Sequence, residues 1–358
     1  MSHNNLFKGT KVLELASVLA GPAVGNFFSE MGAEVLKVEN KNGGDVTRQW
    51  RSPNEIENGP SAYYASVNWN KECVFLDFND TEEHQTILEL AGDADIIISN
   101  FKKGDDIKFG LSYKEVKKIN PSIIYGKITG FGSESDRVAY DLILQAEAGF
   151  MSINGQPWSP PTKMPLALID LLAAHQLKEG ILCAMLAQKD SEDSACLVEV
   201  SLYESAVSSL INQATDWLMN GNVPQQIGSL HPHIAPYGEV FEMQNNRKIT
   251  LAIGNDRQFR KLCMVLNCDE LVEDSRFSSN QKRVKHREEL FGILNEALQA
   301  FKTDGLLSKL HDQKIPAGEI KNIKQVFESE TSQRLLLEEV IEGRQTIRPK
   351  TTVFQMTS

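Results

Sequence analysis

Cysteine, histidine and tryptophan are sparse in this chain: five, seven and four among 358 residues. The cysteines, at positions 73, 183, 196, 263 and 268, form no CxxC pair. An odd, scattered set reads as reduced thiols in an intracellular chain rather than a disulfide framework. The one HxH, His231-Pro232-His233, lacks further ligands nearby and reads as a loop, so no metal site is expected. No run approaches the ~20 consecutive apolar residues that a membrane-spanning helix needs. The opening MSHNNLFKGT has no apolar h-region, so a signal peptide is not expected and a cytoplasmic location is. Positive charge is also short, with 37 Lys and Arg against 48 Asp and Glu and a net charge of −11. That excludes the broad basic surface of a nucleic-acid binder but leaves room for local basic clusters facing a small anion. Neither GxGxxG nor GxxxxGK[ST] occurs, so dinucleotide and P-loop chemistry lack support.

What is present is an apolar fraction of 41%, enough for a sizeable core, and a regular alternation of short apolar runs with helical spacings. KVLELA (11–16), AEVLKVEN (33–40), CVFLDF (73–78), DIIISNF (95–101) and SIIYGKITGFG (122–132) read as strands. Helices are expected over 21–32, 80–94, 111–120 and 171–188, then a strand at CLVEVSLYESAV (196–207) and a helix to about Met219. Strand–helix–strand units at this density predict an α/β fold built on a parallel sheet. NGNVPQQIGSLHPHIAPYG (220–238) is rich in Gly, Pro and Asn and reads as a linker. A second, smaller α/β region follows. The expected domains are 1–220, with 325–358 returning to it, a linker at 221–238, and 239–324.

Five stretches could carry chemistry. MPLALIDLLAAHQ (164–176) places one acid, Asp170, in an apolar setting. PLALI reads as a strand, which puts Asp170 where a strand hands over to a helix. There it could be an N-cap, stabilising by ~1 kcal/mol. It could equally be a carboxylate nucleophile beyond a strand's carboxyl end, kept ionised by the helix N-terminus. ASVLAGPAVG (16–25) is a tight strand-to-helix turn whose helix start could hold an anion. In KVENKNGGDVTRQWR (37–51), Lys37, Lys41, Arg48 and Arg51 flank Gly43-Gly44, an arrangement that suits phosphate and equally a solvated loop. SNFKKGDDIKFG (99–110) is a strand end with a basic loop. In SDRVAYDLILQAEAGFM (135–151), Tyr140 and Asp141 lie just before an apolar helix. His175 sits five residues beyond Asp170, about 140° around a helix, so the two do not share a face.

Taken in order, these pieces resemble the class III CoA-transferase family, the group of formyl-CoA transferase, carnitine CoA-transferases and α-methylacyl-CoA racemase. The resemblance runs through GTKVLELASVLAGP (9–22), GAEVLKVENKNGGDVTRQW (32–50), NWNKECVFLDFND (68–80) and ADIIISNFKKGDDIKFGLSY (94–113). It continues with YGKITGFG (125–132), AYDLILQAEAGFMSINGQP (139–157), PLALIDLLAAHQLKEGILCAML (165–186), HPHIAPYGEVF (231–241), AIGNDRQFRKLC (252–263) and IPAGEIKNIKQVFES (315–329). It implies a Rossmann-like large domain, a smaller α/β domain and an interlocked homodimer. It implies an acyl-CoA thioester and a small carboxylic acid as substrates, with no tightly bound cofactor. Asp170 falls at the catalytic aspartate, which attacks the thioester and passes through an anhydride and an aspartyl-CoA thioester. The implied substrate and CoA contacts are Val18, Leu19, Asn40, Lys41, Leu76, Asn100, Phe101, Lys108, Arg137, Tyr140 and Gly254. Asn40 stands where relatives commonly carry a phosphate-binding arginine, with Lys41 as the candidate substitute.

The racemase branch needs a base on each side of one carbon, and carries a histidine where this chain has Tyr140. A phenol of pKa ~10 is a poor base at neutral pH, which favours transferase over racemase. A CoA-binding protein without catalysis is the third reading, and it gives no role to Asp170. Acceptor choice is expected to fall to MSINGQPWSPPTK (151–163), with Trp158 a candidate wall and a small dicarboxylate such as succinate a candidate partner.

Overall fold

A computed structural model describes residues 5–188 and 194–356, and the chain divides into two compact units. Unit 1 comprises 1–151, 163–223 and 330–358, and unit 2 comprises 152–162 and 224–329.

Unit 1 is built on a six-stranded sheet of β1 (Lys11–Leu15), β2 (Glu34–Asn40), β3 (Glu72–Leu76), β4 (Ile96–Ser99), β5 (Ile124–Thr129) and β6 (Cys196–Ser201). Its order is β3-β2-β1-β4-β5-β6 and every pairing is parallel. The order reverses between β1 and β4, and at such a switch point the loops diverge and leave a crevice. Side chains alternate between faces along each strand, so Val12, Ile96 and Ile98 enter one core with Val24, Phe28, Ile169 and Leu177. Those partners come from helices Ala20–Glu30 and Leu168–Gln188. Leu13, Leu15, Ile97 and Tyr125 point the other way, against Ile87, Ala91 and Val116 from helices Thr81–Asp93 and Tyr113–Ile119. Burial on both faces explains why β4, IIIS, reads as an unbroken apolar run. A hairpin of β10 (Leu336–Ile341) and β11 (Arg344–Pro349) completes the unit. Behind it Arg348 pairs with Glu30 at 2.8 Å, and Glu30 also accepts the backbone N–H groups of Thr351 and Thr352.

Unit 2 holds a three-stranded antiparallel sheet of β7 (Tyr237–Glu242), β8 (Lys248–Ala252) and β9 (Ala317–Glu319). Its core joins Phe241, Ile249 and Leu251 to Phe259, Leu262, Leu290, Leu294 and Leu306 of three helices. The α/β class expected from the alternation is what the chain adopts, with the six-stranded parallel sheet in unit 1 and the three-stranded antiparallel sheet in unit 2. No helix among the described residues is long and apolar enough to cross a membrane.

Candidate active site

A cleft of 340 Å³ opens in unit 1 at the carboxyl ends of β1, β4 and β5. It is lined by Ser17–Ala20 after β1, by Asn100–Lys103 after β4, by Lys127–Gly130 of β5 and its loop, by Arg137–Asp141, and by Asp170.

The turn from β1 into helix Ala20–Glu30 is held on both sides. Ser17 and Asn100 exchange two hydrogen bonds, of 3.0 Å from the Ser17 N–H and 2.8 Å from the Asn100 amide. Val18 has φ 72°, a left-handed conformation that a β-branched residue adopts only under constraint, and its N–H reaches the Asp45 carboxylate at 3.1 Å. Gly21 is required for closeness, because a Cβ there would stand 2.3 Å from the Ala16 Cβ.

Asp170 is the third residue of helix Leu168–Gln188, 8% exposed, with Ile169 and Ala173 wholly buried beside it. The expected strand at PLALI does not form: Leu168 and Ile169 already belong to the helix, so Asp170 sits inside its first turn rather than at a strand end. A short apolar run has no periodicity of its own, and buried strands and buried helices look alike in it. The N-cap reading of Asp170 fails for the same reason. The capping oxygen comes from Asp141 instead, which accepts the Ile169 N–H at 2.7 Å. Gln145, fully buried, fastens the arrangement: it donates to Asp141 at 2.5 Å and accepts the Met164 N–H at 2.7 Å.

Two influences act on Asp170. Burial raises its pKa, and the Asp141 carboxylate raises it further, to about 7. Among the described residues no donor is directed at it, so the helix N-terminus alone opposes them. Tyr63 stands close by: burial and the charges of Asp170, Asp141 and Asp45 push its phenol to about 12, which keeps it a proton donor. Trp50 packs edge-on against Tyr63, with ring centroids 5.2 Å apart. Tyr63 was not legible as a site residue, since it lies about a hundred residues from Asp170 in an undistinguished SAYYAS stretch.

Of the expected CoA-facing residues, Val18, Leu19, Asn100, Phe101, Arg137 and Tyr140 line the same cleft as Asp170. Arg137 is paired with Glu147 at 2.6 Å and lies 3.9 Å over the Phe131 ring. Leu76 and Lys108 gather elsewhere in unit 1, about an aromatic cluster of Phe78, Phe101 and Phe109; Lys108 lies 4.8 Å over the Phe109 ring. Phe101 belongs to both groups. Asn40 is exposed and accepts the Asn42 N–H, and Lys41 pairs with Glu83. Gly254 lies in unit 2, where its N–H donates to Gln258. Trp158 is fully exposed in unit 2. His175 is exposed while Asp170 is buried, as the helical spacing requires.

The basic loop at 37–51 is not a free phosphate cradle. Lys37 is wholly buried between Glu14 and Asp45, and Arg48 is taken up by Glu39, Glu342 and Tyr64. Arg51 spends its guanidinium on carbonyls of Ile56 and Gly59. The acids that neutralise them are Glu39 and Asp45 of the same stretch, with Glu14 and Glu342 from distant parts of the chain. The cationic groups that do reach the cleft are Lys102, Lys103, Lys127 and Arg137.

A model of CoA-transferase family III matches residues 7–358. The succinate–glutarate CoA-transferase of Agrobacterium fabrum is 36% identical over 89% of this chain and 81% of that protein. Human succinyl-CoA:glutarate CoA-transferase is 34% identical over 90% of this chain and 74% of that protein. Among solved structures, a CAIB/BAIF family protein of Brucella suis superposes with a TM-score of 0.86 at 33% identity, covering 98% of this chain and 93% of its own.

Proposed function

The chain belongs to CoA-transferase family III, an enzyme family that moves CoA between an acyl-CoA and a free acid, and from that premise we propose that Asp170 is its covalent nucleophile. The observation that carries the proposal is a buried carboxylate in the wall of the cleft, with no hydrogen-bond donor spent on it among the described residues.

The ionised Asp170 carboxylate attacks the thioester carbonyl. The C–S bond breaks, CoA leaves as thiolate, and a mixed anhydride joins the acyl group to Asp170. The thiolate then attacks the aspartyl carbonyl, releasing the first acid as its carboxylate and leaving an aspartyl-CoA thioester. The acceptor carboxylate attacks that thioester, and the same two steps run backwards to give the new acyl-CoA and free Asp170. An anhydride conserves the thioester's energy, where a serine ester would dissipate it. Burial supports the route twice over, by excluding the water that would hydrolyse the intermediates and by desolvating the nucleophile. The start of helix Ala20–Glu30, with Leu19 and Ala20 in the cleft wall, is suited to the oxyanion that forms in each step. Lys102 supplies positive charge for the CoA phosphates, joined by Lys103, Lys127 and Arg137 where phosphate displaces their partners Glu134, Asp106 and Glu147, and the aromatic group of Phe78, Phe101 and Phe109 suits the adenine. Asn40, Lys41, Leu76 and Lys108 belong with that distal end of CoA, and Gly254 with the acceptor.

The relatives named above act on succinate and glutarate, so short dicarboxylates are the proposed acids. An interlocked homodimer is proposed on the family resemblance. It agrees with helix Ile211–Asn220, which has no buried residue and exposes Trp217, Leu218 and Met219. Chromatography of purified protein mixed with succinyl-CoA and glutarate tests the activity. Glutaryl-CoA and succinate are expected in equal amounts, and neither with Asp170→Ala. Turnover that survives Asp170→Ala would overturn the role of Asp170. Exchange of α-deuterium into the acyl-CoA without transfer would replace the reading with racemisation.

A further inference from the structure

Four charged side chains are sealed beneath the cleft's β1 turn: Glu14, Lys37, Asp45 and Lys71, each with a side chain no more than 2% exposed. They form a chain. Lys71 donates to one Glu14 oxygen at 2.7 Å, Lys37 donates to the other at 2.9 Å, and Lys37 stands 3.2 Å from Asp45. The chain then grips the turn's backbone at three points. Lys37 donates to the Ala16 carbonyl at 2.6 Å, Asp45 accepts the Val18 N–H, and Lys71 donates to the Pro22 carbonyl at 2.9 Å. Space for it is reserved: a Cβ on Gly25 would fall 1.9 Å from a Glu14 oxygen.

Buried ion pairs are poor stabilisers, because desolvation consumes most of what Coulomb attraction returns, and apolar residues of the same volume serve stability as well. What the four charges supply is placement. Val18 occupies φ 72°, where a β-branched side chain is strained, and its N–H bond to Asp45 is the contact that opposes release. Resting on the reading of the cleft as an acyl-CoA site, we propose that Asp45, anchored by Lys37 and through it by Glu14 and Lys71, is a positioning residue that holds the strained Val18 turn in its substrate-binding shape.

A double-mutant cycle on CoA affinity, measured by titration calorimetry on the full chain, tests this. Asp45→Asn is expected to weaken CoA binding about tenfold in the native background, the factor that ~1.4 kcal/mol of released strain corresponds to. Glycine adopts φ 72° without strain, so when Val18→Gly is already present the same Asp45→Asn change is expected to weaken binding less than ~3-fold. A merely structural role would lower the thermal midpoint alike in both backgrounds and leave the two ratios equal, and equal ratios would overturn the proposal while leaving the CoA site standing. If the unsubstituted protein binds no CoA, the functional reading falls and this inference with it. Should Asp45→Asn give no folded protein, Lys37→Met enters the same cycle with the same two ratios as its readout.

Discussion

Replacing Asp170 by Asn should destroy transfer and strengthen the fold, with a gain that grows with pH. Asp170 titrates at about 7 in the folded chain because it is buried and faces Asp141, against an ordinary value of 3.8. The folded state therefore holds a proton that the unfolded state releases between those two values. Stability contributed by this difference is undiminished below pH ~3.8, falls as pH rises toward 7, and levels off once both states are ionised. At 1.36 kcal/mol per pH unit the penalty is ~1.6 kcal/mol at pH 5 and ~4 kcal/mol at pH 8, from the shift between 3.8 and about 7. Asparagine cannot ionise and escapes that penalty, so the variant's advantage over the native chain should be larger by ~2–3 kcal/mol at pH 8 than at pH 5. Urea unfolding read by tryptophan fluorescence suits the measurement, because Trp50, Trp69 and Trp217 all lie in unit 1. The subtraction cancels every group that titrates alike in both proteins. A gain independent of pH, or a variant less stable at pH 8, would refute the picture of Asp170 as a desolvated carboxylate.

Other outcomes follow from the same geometry. The kcat/KM for acyl-CoA should rise about tenfold per pH unit below 7 and level off above it, because the attacking form is the carboxylate; a flat profile from pH 5 to 8 would contradict this. Asp141→Asn removes the neighbouring negative charge that raises Asp170, so that rising limb should move toward acid pH, while burial keeps it above the ordinary carboxylate range. Gly25→Ala drives a methyl group into the buried Glu14 carboxylate and should cost on the order of 2–4 kcal/mol in chemical denaturation, whereas Gly92→Ala, with open space at its Cβ, should be neutral or mildly stabilising. Glu30→Ala strips Arg348 and the Thr351 and Thr352 amides of their shared acceptor, and limited proteolysis should then cut the chain after residue 349 first.

The sheet was legible because each strand buries one side chain per face, and runs such as KVLEL and IIIS carry that demand openly. Asp170 was legible as a lone acid in an apolar stretch, and the ordered family resemblance gave it a role. Its local geometry was not, since the oxygen that caps its helix comes from Asp141, 28 residues earlier. The same holds for Lys37. Its partners Glu14 and Asp45 are brought to it by strand pairing and a turn, so a reading along the chain sees a basic loop where the fold has a neutral, sealed network. Tyr63 escaped for want of any local pattern. Contacts made across distant segments, above all between charges, are what one-dimensional periodicity cannot carry.

On the proposed route Asp170 becomes covalently bound during the reaction. Intact-protein mass spectrometry after mixing with succinyl-CoA, followed by hydroxylamine or borohydride trapping and peptide mapping, tests it directly. A trapped adduct is expected on the peptide carrying Asp170, absent from Asp170→Ala and reduced when glutarate is added before the trap. Steady transfer of CoA with no adduct at that residue would contradict it.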